Sequence, residues 1–100
     1  MPKKIKITWD KYAREDLKKN YKFNKKTFSK KFALRIRDEI YDTVGNITFL
    51  DQWQKDEITG KSYRRIIVRH YKIVYKIKSK DSIFVLMIFD TRQEATTYKL

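Results

Sequence analysis

Residues 63–77, with the sequence YRRIIVRHYKIVYKI, decide the fold of this chain. Apolar and basic side chains alternate along them with a period close to two, which is typical of strands whose two faces have different surroundings. The break at Arg69-His70 predicts a turn between a strand over 62–68 and a strand over 71–77. One face of this hairpin is expected in a core, and the wet face is almost all Lys and Arg. Such a surface suits a polyanion or an acidic protein.

The segments on either side of this hairpin extend the sheet and supply helices. Residues 82–90 are apolar at successive positions, which predicts a third strand with two dry faces in the middle of the sheet. Residues 4–8 alternate as a short first strand. Three-four spacing then predicts a helix capped by Thr8 and ending near Asn20, followed by a basic connector over 22–26.

A second amphipathic helix is expected to start at Asn24 or Thr27 and to end at Gly45-Asn46, where glycine supplies a stop signal. Its apolar positions step by four residues: Phe28, Phe32, Ile36, Ile40 and Val44. The less regular segment that follows is expected to be held on the core by apolar anchors. These anchors are Phe49, Leu50, Trp53 and Ile58.

The predicted order is β-α-α-β-β-β, a small α+β single domain over residues 1–100. A hairpin of two antiparallel helices is expected to pack on one face of a mostly antiparallel four-stranded sheet. Tyr71 and Tyr75 alternate with Lys72 and Lys76, so the tyrosines are expected to face the helices. The opposite, basic face of the sheet is expected to be open.

Composition narrows the classes of function. The chain has 25 Lys and Arg against 12 Asp and Glu, a net charge of +13, no cysteine and one histidine. We therefore expect no disulfide, no metal, no cofactor and no small-molecule substrate. No apolar run has the length of a membrane span or a signal peptide, so a cytoplasmic protein without a membrane partner is expected.

With those classes of function excluded, the remaining candidate site is a cluster of cations and phenols around the predicted sheet. Cations can hold a phosphodiester and stabilise charge developing on it, and a phenol or a lysine can move a proton. The candidate catalytic residues are Lys72, Arg92 and Tyr98. The candidate nucleic-acid-binding residues are Arg64, Arg65, Arg69 and Lys76. The same positions would also serve as a docking patch. His70 is better explained as a turn residue, and Asp38-Glu39 as a solvated helix face.

Three segments carry a resemblance to a known family: 63–68 (YRRIIV), 71–77 (YKIVYKI) and 88–93 (IFDTRQ). Together with Ala13 and Leu17 on the first helix, they resemble the RelE/ParE superfamily of bacterial toxins over nearly the whole chain. The resemblance implies the toxin of a type II toxin–antitoxin pair, neutralised by a cognate antitoxin protein that wraps around it.

Members of this superfamily differ in their targets, so the resemblance leaves the mechanism open. RelE-like toxins are metal-independent endoribonucleases that cut mRNA on the ribosome, and the match implies that role for Lys72, Arg92 and Tyr98. ParE-like toxins inhibit DNA gyrase without enzymatic activity. Lysine at 72, where the nucleases often have arginine, lacks the planar bidentate fork. The basic sheet slightly favours RNA cleavage. An inactive basic nucleic-acid-binding relative is the third alternative.

Overall fold

The computed structural model describes residues 4–47, 53 and 63–91. Its elements are, in chain order, β1 (Lys6–Trp9), α1 (Lys11–Thr27), α2 (Lys30–Gly45), β2 (Tyr63–Val68), β3 (Tyr71–Ser79) and β4 (Ser82–Asp90). The predicted α+β order is confirmed. Trp53 packs partly buried against the core, as expected for an anchor, whereas the anchors Phe49, Leu50 and Ile58 lie outside the described residues.

The four strands form one mixed sheet in the order β1-β4-β3-β2. β2 and β4 both pair antiparallel with β3, while β1 pairs parallel with β4. The prediction that the third strand of the C-terminal half lies inside the sheet is confirmed, because β4 has a neighbour on each side. The apolar side chains on both of its faces follow from that position.

Helix α1 is longer than the sequence indicated. Asp10, rather than Thr8, caps it, since the Asp10 carboxylate accepts a hydrogen bond from the Tyr12 N–H at 3.0 Å. The helix continues through residues 22–26, where a connector was predicted, and ends at Thr27. The reason is Asn24, which is buried and donates a hydrogen bond from its side-chain amide to the Tyr71 hydroxyl at 2.9 Å. This contact holds the last turns of α1 against β3.

Helix α2 begins later than predicted. Its cap is Ser29, whose hydroxyl accepts from the Phe32 N–H at 3.0 Å, rather than Asn24 or Thr27. Phe28 therefore precedes the helix and is 57% exposed instead of joining the apolar stripe. The remainder of the stripe is in the core as predicted, with Ile36, Ile40 and Val44 all buried.

The core lies between the helix hairpin and one face of the sheet. Tyr71 and Tyr75 are fully buried there, as their alternation with lysines predicted. Trp9 is partly buried against the same cluster, and its ring meets the Tyr41 ring edge-on with 5.2 Å between centroids. Burial of large aromatic and branched side chains on this one face fixes which sheet face is left for other contacts.

Helix α1 contacts β4 just beyond a β-bulge in that strand. Tyr75 pairs with Val85 and Val74 with Met87, so Leu86 has no partner on β3. β1 ends opposite Val85, and beyond that point the other edge of β4 meets α1 instead of a strand. There the Asp16 carboxylate accepts a hydrogen bond from the Ile88 N–H at 3.1 Å.

Burial raises the pKa of Asp16 above its ordinary value, against the opposing effects of the Ile88 N–H and the Lys19 ammonium. The folded chain therefore holds this proton more tightly than the unfolded chain. Ionisation of Asp16 consequently lowers the free energy of unfolding as the pH rises from the ordinary carboxyl value through the raised one.

Replacing Asp16 separates the hydrogen bond from the charge. Asp16→Asn keeps an acceptor oxygen, so we expect its free energy of unfolding at pH 7 to be within about 0.5 kcal/mol of that of the parent protein. Asp16→Ala removes the acceptor, and its free energy of unfolding should be lower by roughly 1–2 kcal/mol. Both variants should lose the pH dependence due to this carboxyl. Urea denaturation at pH 3 to 7 measures both effects, and equal stability of the two variants at pH 7 would exclude a stabilising hydrogen bond from the Ile88 N–H to Asp16.

Candidate functional site: the outer face of the sheet

We use "outer face" for the side of β2, β3 and β4 that points away from the helices. Strand register places ten side chains on it. They are Tyr63, Arg65, Ile67, Lys72, Val74, Lys76, Lys78, Phe84, Met87 and Phe89. Neither of the two described helices packs on this face.

The centre of the outer face is largely shielded from solvent, and the one cation on β3 there, Lys72, is buried. Val74 is fully buried and Lys72 is only 5% exposed. The Lys72 ammonium lies 5.7 Å from the centroid of the Phe89 ring, which is within the range of a cation–π contact. The expectation of a wet face made almost entirely of Lys and Arg is therefore wrong at its centre. It failed because three β4 side chains supply apolar surface there: Phe84, Met87 and Phe89.

Positive charge on the outer face is concentrated at its rim. Lys76 and Lys78 are exposed, and the Lys78 ammonium lies 5.1 Å from the centroid of the Phe84 ring. Arg65 is half-buried on β2, and next to it Ile67 is 47% exposed. An apolar centre with a charged rim is the anatomy of a protein-binding surface.

Two of the predicted nucleic-acid-binding arginines lie elsewhere. Arg64 pairs with Tyr75 and so lies on the helix-covered side, where its guanidinium donates to the Trp53 carbonyl oxygen at 3.1 Å. Arg69 lies in the β2–β3 turn with a φ of 56° and donates to both Glu39 carboxylate oxygens, at 2.6 and 3.2 Å. Of the four candidates, only Arg65 and Lys76 lie on the outer face.

The Arg69 contact changes the interpretation of Glu39. The Glu39 side chain is 40% exposed on the surface of α2, as predicted, and it also holds the β2–β3 turn against that helix through Arg69. The hydrogen bond from Arg69 lowers the pKa of Glu39 below its ordinary value, and the same carboxylate raises the pKa of Arg69. This pair is therefore one of the contacts that join the turn to the helix hairpin.

The other candidates fall at the end of the sheet or beyond the described residues. His70 lies in the turn, as predicted, with its Nε2 3.8 Å from Oδ2 of the buried Asp90. Its ring also packs beside Tyr71, with 4.3 Å between ring centroids. Among the three candidate catalytic residues, Lys72 is described, while Arg92 and Tyr98 lie outside the described residues.

The described part of the chain contains neither a cluster of metal-binding side chains nor a helix suited to a membrane. Within residues 4–47, 53 and 63–91, no group of three or more His, Cys, Asp or Glu side chains is placed to hold a metal ion. Neither of the two described helices combines the length and the apolar character needed to cross a membrane.

Comparison with known proteins identifies the family of this chain. A model of the ParE toxin of the type II toxin–antitoxin system parDE matches residues 7–95. A solved structure described as the chromosomal ParDE toxin–antitoxin system from P. aeruginosa shares the fold, with a TM-score of 0.73 and 18% sequence identity. The superposition covers 86% of this chain and 95% of that one. A search of curated proteins found no match. The family match over most of the length shows that this chain belongs to the ParE toxins of type II toxin–antitoxin systems, within the RelE/ParE superfamily.

Proposed function

We propose that this toxin arrests growth by binding and inhibiting DNA gyrase, and that it does so without cutting RNA. Gyrase inhibition is the activity that the resemblance to ParE-like toxins implies. The single observation that carries the choice is the burial of Lys72 beside Phe89. A lysine that is 5% exposed does not present its ammonium to a phosphodiester unless its side chain or the surrounding side chains move.

The rest of the outer face supports binding over cleavage. A metal-independent nuclease needs several accessible donors around one phosphate, because they must stabilise the charge that develops in the transition state. Arg64 and Arg69 are instead held by the Trp53 carbonyl and by Glu39. Lys76 remains exposed at the rim. These positions favour an apolar contact with a protein, oriented by surrounding charge.

The cognate antitoxin is the second partner in this proposal. At a net charge of +13, the toxin repels itself and attracts an acidic segment that folds on contact. Such a partner raises the apparent stability of the toxin by mass action, by about 2.7 kcal/mol when its free concentration is a hundred times the Kd. The apolar centre of the outer face and its basic rim together fit an amphipathic acidic chain.

The proposal is tested with the pair of variants Lys72→Met and Ile67→Asp. Methionine keeps the volume and the aromatic contact of Lys72 without its charge. The concentration of Lys72→Met that half-inhibits supercoiling by purified gyrase should therefore be within about twofold of that of the parent toxin. Ile67→Asp puts a charge at the exposed apolar position of the outer face and should weaken inhibition at least about tenfold, the usual effect of losing an interface anchor.

Each variant is first checked for folding by circular dichroism. The proposal is wrong if folded parent toxin at micromolar concentration leaves supercoiling unchanged. It is also wrong if the toxin produces new mRNA ends in a translating extract and Lys72→Met abolishes them, because that result would return Lys72 to a catalytic role.

A further inference from the structure

A line of five cations runs along one exposed face of α1. The residues are Lys11, Arg14, Lys18, Lys22 and Lys25. They are separated by three, four, four and three positions, which places them on one side of a helix with 3.6 residues per turn. All five are exposed, while the opposite side of α1 buries Ala13, Leu17 and Asn24. We call these five residues the α1 stripe.

The α1 stripe adjoins a shallow groove between the two helices. Arg14 and Lys18 line this groove, which has a volume of about 180 Å³. The other lining residues are Leu17, Tyr21, Arg37 and Tyr41. The volume of this groove is smaller than the roughly 300–1,000 Å³ that is typical of small-molecule sites. The groove accommodates a phosphate and its sugar rather than a whole small ligand.

We propose that the α1 stripe binds the phosphate backbone of double-helical DNA, with Arg37 of α2 adding a sixth cation. From Lys11 to Lys25 the helix advances about 21 Å at 1.5 Å per residue. One strand of B-DNA carries a phosphate about every 3.4 Å of its axis, but the strand winds around that axis, so a straight row of this length meets only part of the roughly six phosphates within it. The stripe presents five cations to such a backbone, and Arg37 lies beside them across the groove.

An acidic protein segment is the weaker alternative for this surface. Its carboxylates follow no fixed spacing, whereas the stripe is regular over four turns of helix. Glu15 is the one exposed carboxylate beside the stripe within α1, since Asp16 is half-buried and bonded to the Ile88 N–H. An almost unbroken row of like charges repels itself along the helix, and neutralisation by a line of phosphates removes that repulsion.

Single-stranded nucleic acid is also disfavoured. Proteins that bind single strands stack bases on exposed aromatic rings. Tyr21, the ring closest to the stripe, has the Arg37 guanidinium 5.7 Å from its centroid. Tyr12 is 68% exposed but is one residue from Lys11, and so points about 100° away from it around the helix. The stripe itself therefore presents cations to a backbone, and Tyr41, which is 45% exposed, is the exposed ring that lines the adjoining groove.

This inference goes beyond gyrase inhibition and does not depend on it. It assigns the toxin a direct contact with DNA on the helix hairpin, on a surface separate from the outer face of the sheet. The test accordingly contains no gyrase. A failure of the DNA contact leaves the gyrase proposal standing, and a failure of gyrase inhibition leaves the DNA contact standing.

The experiment measures fluorescence anisotropy of a labelled 20-base-pair duplex titrated with the full chain at several salt concentrations. The stripe variant carries Lys11→Gln, Lys18→Gln and Lys25→Gln. The control variant carries Lys4→Gln, Lys6→Gln and Lys80→Gln, three exposed lysines outside α1. Both lose three charges, from +13 to +10, so their overall attraction to DNA is matched.

We expect the stripe variant to bind about 100-fold more weakly than the parent protein near 0.1 M salt, and its plot of log affinity against log salt to be shallower by about 2.7, which is 0.9 for each of three lost phosphate contacts. The control should stay within about fivefold. The inference is overturned if the control loses as much affinity as the stripe variant. Tighter binding of a single-stranded 20-mer, or of a poly-glutamate peptide of equal charge, also overturns it.

Discussion

Replacing Ile40 with alanine is expected to lower the free energy of unfolding by about 2–5 kcal/mol. Ile40 is fully buried on α2 and belongs to the core between the hairpin and the sheet. The substitution removes buried methyl groups and leaves a cavity that the surrounding side chains fill only in part. Since domains of this size have a total stability of about 5–15 kcal/mol, the loss is a large share of it.

The expected decrease in Tm is about 8–40 °C, from roughly 4–8 °C for each of the 2–5 kcal/mol lost in a small domain. Thermal melting followed by circular dichroism measures it. The matched control is Tyr12→Ala on α1, a large-to-small change at a side chain that is 68% exposed, which should alter stability by less than about 0.5 kcal/mol. If the two variants melt together, the helix hairpin does not cover the sheet as described.

Tyr71→Phe is expected to lower stability by about 1–3 kcal/mol, although it removes one oxygen atom. The Tyr71 hydroxyl accepts a hydrogen bond from the Asn24 side-chain amide, and both residues are buried. The Asn24 side-chain oxygen already has no hydrogen-bond partner among the described residues. Without the hydroxyl, the whole amide group would be buried without a partner, and the penalty is that of a desolvated polar group.

A double-mutant cycle tests this explanation of Tyr71→Phe. Asn24→Leu alone leaves the Tyr71 hydroxyl unpaired and should also destabilise the protein. The double variant buries apolar groups on both sides, so it should recover at least about 1 kcal/mol relative to the sum of the single changes. Urea denaturation of the four proteins gives the coupling. An additive cycle would mean that α1 is not held to β3 by this bond.

The sheet could be predicted because its signal is local. Alternation of apolar and basic residues is visible in any window of six residues, and it correctly assigned Tyr71 and Tyr75 to the core. The run of apolar residues over 82–90 likewise placed β4 inside the sheet. In each case the property depends on neighbours along the chain.

The end of α1 was missed although a signal was present. Ala13, Leu17 and Asn24 share one face of the helix, and all three are buried. Because Asn24 is polar and stands among lysines, the sequence instead predicts that it lies in a basic connector or starts the second helix. What makes Asn24 a core residue is its hydrogen bond to Tyr71, 47 positions away, and spacing along the helix does not reveal such a partner.

The candidate site was harder to predict because exposure depends on distant partners. Alternation put Lys72 on the correct face, but it did not predict that Lys72 is only 5% exposed or that its ammonium lies beside the Phe89 ring of the neighbouring strand. Arg64 and Arg69 were expected to be available for a ligand. Their partners, Trp53 and Glu39, lie 11 and 30 positions away. Counting cations therefore overestimated the charge available on the sheet.

The central claim is that the toxin acts by binding, with Lys72 as a packing residue of the outer face rather than a catalytic group. The most direct measurement is made in cells shortly after induction of the toxin without its antitoxin, by recording plasmid supercoiling and mapping mRNA 5′ ends in the same culture. The account predicts loss of negative supercoiling and no new mRNA ends, for the parent toxin and for Lys72→Met alike. New ends within coding regions that disappear in Lys72→Met, with supercoiling unchanged, would contradict it.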